Sequence, residues 1–154
     1  EMFRLQAGVN ITHIPFKGGG PAMADVIAGN TQITMGSLLQ LVPHIQGNRL
    51  RLLAVGSAKR NGAFPNTPTV AETVPGYEAN NWWGILAPVR TQPAVISRLN
   101  EELKKALDDN AVRTRLLTHG ATIQFGTPAE ATALLMSEIE KWAKVVKATG
   151  ARVD

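Results

Sequence analysis

The run Phe16-Lys17-Gly18-Gly19-Gly20-Pro21-Ala22 holds the residues of this chain best suited to chemistry. Consecutive glycines let a backbone turn tightly and come close to a ligand. Pro21 suits the first position of a helix, where its missing N–H is not needed. A helix starting there offers free backbone N–H groups and the positive end of its dipole, which together hold a carboxylate or a phosphate. Lys17 either supports that anion or stands solvated. The bland reading of the loop is a flexible strand-to-helix turn without a ligand. It is neither a P-loop nor a dinucleotide fingerprint, because the Gly-Lys-Ser/Thr ending and the Gly-x-Gly-x-x-Gly spacing are both missing.

Two further places merit chemistry. Ser37 follows Met35-Gly36 where a strand-like run meets a helix-like one, and such junctions face the ligand crevice of open α/β sheets. Asn80-Asn81-Trp82-Trp83-Gly84 combines indoles, amides and a glycine. Its plain reading is a core strand with at least one tryptophan inside. Its functional reading sets Trp83 at a cleft edge, with an asparagine donating a hydrogen bond.

Catalysis finds no support in these residues. His13, His44 and His119 lack a second ligand at helical spacing, so no metal site is expected. Gly-x-Ser-x-Gly is absent, and so is cysteine, which excludes disulfides and thiol chemistry. No cofactor is expected. The net charge of +4 and pI near 9.8 invite nucleic acid as a partner, but the basic residues are scattered, with Lys59-Arg60 and Lys104-Lys105 the only doublets. The expectation is therefore no nucleic acid, and a basic lobe that draws in organic anions.

The positioning elements follow from periodicity. The 154 residues are 44% hydrophobic and 18% charged, as in ordinary globular chains. Up to about residue 81, β and α signals alternate: strands over 10–15, 32–35 and 50–56, helices over 21–28 and 38–46, and a helical turn over 69–73. Gly29 and Gly47 stand at helix ends. The run 77–87 reads as extended and apolar. The rest is helical. Val95, Ile96, Leu99, Leu103 and Leu107 share one expected buried face, and Leu134, Leu135, Ile139, Trp142, Val145 and Val146 another. Asp108-Asp109-Asn110 breaks one helix and caps the next over 111–118. Thr127-Pro128-Ala129-Glu130 is a capping-box start, and Gly150 a stop. The fold class is α/β, with a parallel or mixed sheet flanked by helices.

In their order, Ile14-Pro15-Phe16-Lys17-Gly18-Gly19-Gly20-Pro21-Ala22, Pro43-His44-Ile45, Leu50 to Val55, Pro68 to Glu72 with Pro75-Gly76-Tyr77, Trp83 to Pro88, and Lys141-Trp142 to Gly150 make the chain resemble the tripartite tricarboxylate transporter receptors, the Bug family. The resemblance implies a two-lobed, type II-like periplasmic binding protein, each lobe with a central mixed sheet, here incomplete. Residues 1–81 would form most of the second lobe. Residues 82–154 would hold a hinge strand and helices completing the first. A signal peptide and the other half would lie upstream. The implied partners are a small organic acid and membrane transporter subunits, with self-association of the fragment expected. The implied ligand contacts are Phe16, Lys17, Gly18, Gly19, Gly20, Pro21, Ala22, Ser37 and Trp83. Many relatives carry an acidic residue at the place of Gly36, able to meet a ligand amine, so the resemblance implies a carboxylate without an amino group. The competing reading is the effector-binding domain of a transcriptional regulator, which shares this general fold.

Overall fold

The computed structural model describes residues 1–150; residues 151–154, the end of the expected 82–154 segment, lie outside the described residues. Six α-helices and one short 3-10 turn follow in order: α1 Met2–Ala7, α2 Gly19–Ile27, α3 Leu38–Gln46, the turn Val70–Glu72, α4 Pro93–Asp108, α5 Asn110–Thr118 and α6 Pro128–Thr149. None is long and apolar enough to cross a membrane.

Local chemistry accounts for the helix ends. Thr127 Oγ1 accepts from the Glu130 N–H at 3.2 Å while Glu130 reaches back to the Thr127 N–H at 2.7 Å, closing the capping box at the start of α6. Gly150 ends that helix with φ +66°. Thr69 and Glu72 repeat the box on the 3-10 turn. Asp109 caps α5 by accepting from the N–H groups of Ala111 and Val112, both at 3.0 Å. Pro21 occupies the third position of α2, not the first, because the helix already starts at Gly19. The first four N–H groups of a helix have no intrahelical acceptor, so a proline fits there equally well.

The expected mixed sheet is not formed among the described residues, and that expectation is corrected. The runs 9–16, 33–36, 51–54 and 78–88 are non-helical but carry no ladder. A strand exists only when a neighbour takes its N–H and C=O groups. The pairing present is slight. Val55 accepts from the Val70 N–H and donates to Pro68 O, both at 3.0 Å, making one parallel bridge between Val55 and Thr69. The Ala79 N–H donates to Gly56 O at 3.0 Å.

The core is small. Met2, Val42, Val55 and Tyr77 are its buried apolar residues, joined by Ser37 and Thr69. Phe3 meets the Tyr77 ring edge-to-face at 6.0 Å, fastening α1 to this core. Burial pushes the Tyr77 hydroxyl pKa upward. The two helical faces expected inside are covered only in part: Ile96, Leu103 and Leu107 on α4 and Leu135 and Val145 on α6 are half-buried, while Val95 and Leu99 on α4, and Leu134, Ile139, Trp142 and Val146 on α6 are exposed. Periodicity says which face is apolar, but not whether anything covers it. The tryptophan expectation is corrected likewise. Trp83 is 70% exposed and Trp82 lies at the surface, neither inside a core.

Candidate functional site

The glycine loop takes the conformation that its sequence requires. Gly18 is the N-cap of α2 with φ +108° and ψ 172°, a region open essentially to glycine alone. Its N–H is taken by Phe16 O at 2.8 Å. No side chain caps this helix and no acidic residue sits in its first turn. Gly19 and Gly20 therefore head a helix whose first N–H groups have no intrahelical acceptor. Phe16, Lys17, Gly18, Gly19, Gly20 and Pro21 are all exposed, with Ala22 half-buried.

Ser37 stands in an equivalent place. It is the N-cap of α3, extended at φ −70° and ψ 132°, and only 8% exposed. Its carbonyl accepts from the N–H groups of Gln40 and Leu41, while its side chain makes no capping bond. Two helix starts without side-chain caps thus belong to consecutive helices.

Gln40 joins them. A β-carbon on Gly19 would lie 2.9 Å from Gln40 Oε1, so the carboxamide of the first turn of α3 rests against the loop of α2. Gln40 carries little mark of a site in the sequence. The signal was its place three residues after Ser37, which puts it on the same helix start. Backbone N–H groups, an amide and a positive helix end can receive a carboxylate without a metal or a base.

Trp83 is 70% exposed, and among the described residues no ring contact joins it to this group. Its neighbour Trp82 approaches Glu138 of α6 instead and helps to lower its pKa. Glu138 also accepts from Trp142 Nε1 at 2.9 Å and from Lys141, whose ammonium chiefly lowers its pKa. Two grooves are lined by residues outside the loop. One of about 610 Å³ is lined by Asn48 to Leu52 with Ile45, Phe64 and Thr67, the other by Leu39, Pro43, Arg115, Leu116 and His119. Among the described residues, no group of three His, Asp or Glu could hold a metal ion.

This architecture is that of the periplasmic binding proteins. The structure superposes on the periplasmic binding protein BugD with a TM-score of 0.84 at 28% identity, over 97% of this chain and 51% of BugD. It superposes on MatC of Rhodopseudomonas palustris, solved with bound malate, with a TM-score of 0.83 at 29% identity, over 94% of this chain and 51% of MatC. The chain belongs to the tripartite tricarboxylate transporter family receptors (TctC), which it matches over residues 1–151. BugT of Bordetella pertussis is 36% identical over 154 residues, 99% of this chain and 47% of BugT. The UPF0065 protein of the clcB-clcD intergenic region of Pseudomonas knackmussii is 34% identical over 147 residues, 94% of this chain and 87% of that protein. The chain spans about half the length of BugT, BugD and MatC. A transporter-receptor family favours the receptor reading over the transcriptional regulator.

Proposed function

We propose that this chain is one half of an extracytoplasmic solute-binding receptor that captures a small organic carboxylate for a tripartite tricarboxylate-type transporter. The observation that carries this reading is the meeting of the helix starts at Gly18 and Ser37, both without side-chain caps, where Gln40 of α3 rests against Gly19 of α2. On this reading Gly18 to Ala22 form one jaw of a carboxylate clamp. Residues 1–81 supply most of one lobe, and residues 82–154 cross to the other. The opposing jaw lies upstream, in a region that also carries the signal for export to the periplasm. Binding and closure are the whole mechanism: the ligand shifts an open–closed equilibrium by its differential affinity for the closed form. Phe16 and Lys17 line the approach to the clamp.

The ligand lacks an amino group. Gly36 offers no side chain to meet an ammonium, and no Asp or Glu occurs from Val26 to Ala71. A di- or tricarboxylate, or an aromatic acid, fits such a lobe. The similarity to MatC, which holds malate, supports the same class. Calorimetry on the full-length receptor with malate, citrate, benzoate and glutamate tests this. Binding of one of the first three without glutamate is expected; preference for glutamate overturns the ligand class.

We also propose that the chain, taken alone, associates with itself. It exposes 11476 Å², whereas a compact protein of 16.5 kDa exposes about 7,500 Å². The surplus includes Ile85, Leu86 and Val89 of the hinge segment and the open faces of α4 and α6. Apolar surface of that extent is covered in a working protein.

A further inference from the structure

The larger groove lies at the opposite end of α3 from Ser37. That helix of nine residues is about 13 Å long, so the groove stands clear of the candidate clamp. Its wall is the chain leaving α3, tied back where His44 O accepts from the N–H groups of Arg49 and Leu50 at 2.9 and 3.1 Å. Arg49 and Arg51 are exposed on its rim, while Ile45, Leu52 and Phe64 are half-buried along its floor. Arg49 donates to His44 Nδ1 at 2.5 Å. Neither guanidinium meets a carboxylate among the described residues. The sequence explains why. From Val26 to Ala71 it has Arg49, Arg51, Lys59 and Arg60 but no acid, and the next one, Glu72, is taken by Arg60 at 2.7 Å.

We infer that this groove docks an acidic segment of a partner protein, with carboxylates on Arg49 and Arg51 and apolar side chains over Leu52 and Phe64. Charge complementarity and the apolar floor select that occupant together. A small free acid would meet only exposed guanidiniums, and exposed ion pairs are individually weak. A peptide adds apolar burial and several such pairs at once, and guanidinium is the cation best matched to carboxylate forks. The inference rests on the receptor reading in one respect: a receptor that delivers its ligand needs a docking face separate from its clamp, so the partner is a transporter subunit.

The test uses the full-length receptor and a labelled peptide of alternating glutamate and leucine, with an alternating lysine–leucine peptide as control. Anisotropy should show the acidic peptide binding, weakening with salt, and losing at least ~tenfold in affinity with Arg49→Glu plus Arg51→Glu. Arg49→Gln plus Arg51→Gln, a milder change at two exposed sites, should show an intermediate loss. Affinity for malate or citrate should move by less than about twofold, because the clamp lies at the far end of α3. Equal binding of the two peptides overturns the inference, as does acidic-peptide binding that survives charge reversal. If the unmodified receptor binds the acidic peptide but none of the carboxylates, the ligand proposal fails and the groove stands.

Discussion

Gly19 and Gln40 are in contact that only a missing side chain permits: a β-carbon on Gly19 would come within 2.9 Å of Gln40 Oε1. Gly19→Ala should therefore separate stability from binding. The carboxamide is the far end of a flexible side chain and can swing away, while alanine favours the helix by up to ~1 kcal/mol. The variant is expected to melt no lower than the parent. Its carboxylate affinity should fall about tenfold, since a hydrogen bond to a charged group is lost. Melting curves beside calorimetry check both halves; unchanged affinity would remove Gln40 from the site.

Gly18→Ala should behave in the opposite sense. At φ +108° an alanine is strained whatever the space around it, at a cost of about 1–3 kcal/mol. The melting temperature should drop, and binding should weaken with the distorted helix start. A melt indistinguishable from the parent would mean that the loop rearranges freely, against a preformed clamp.

Gly56 carries the close crossing of the segment leading to the tryptophans. A β-carbon there would lie 2.4 Å from Ala79 O, a backbone atom with no freedom to rotate aside. Gly56→Ala is expected to cost on the order of 1–3 kcal/mol, in the range of overpacked sites. Denaturant unfolding of the receptor measures it, with Gly62→Ala, where nothing lies near, as the control.

Acid should loosen the Thr69–Glu72 turn. Hydrogen bonds from Arg60, then from the Thr69 N–H, hold the Glu72 carboxyl at a pKa of about 2 against an ordinary 4.5. A group with a depressed folded pKa contributes stability above its unfolded pKa and loses it as pH falls through the folded one. The contribution should be intact above about pH 4.5 and fade towards pH 2. Glu72→Gln should flatten that part of the melting-temperature profile; an unchanged slope would place the acid sensitivity elsewhere.

The isolated chain should run as a dimer or larger species in light scattering. Its exposed Trp83, Ile85, Leu86 and Val89 form one continuous apolar run. A monodisperse monomer would show that the open faces are tolerated in water. Ile85→Lys plus Leu86→Lys should shift any oligomer towards monomer.

Neighbours along the chain decide the helix ends. The Thr127–Glu130 box, the Asp109 cap, the turn at Thr69 and the stop at Gly150 all form within about four residues, so local hydrogen bonding sets them and they stand where expected. The glycine loop was legible for the same reason, although its helix starts at Gly19, ahead of Pro21. Gln40 was not, because its contact with Gly19 spans two helices. The sheet and the exposed parts of the two helical faces escape local hydrogen bonding for the same physical reason. An extended run such as 51–54 becomes a strand only when distant backbone pairs with it, and the apolar stripe of α6 becomes core only when another element covers it. Tertiary structure decided both: Val55 found Thr69 and Gly56 found Ala79, while Trp83, Leu99 and Ile139 stayed in water.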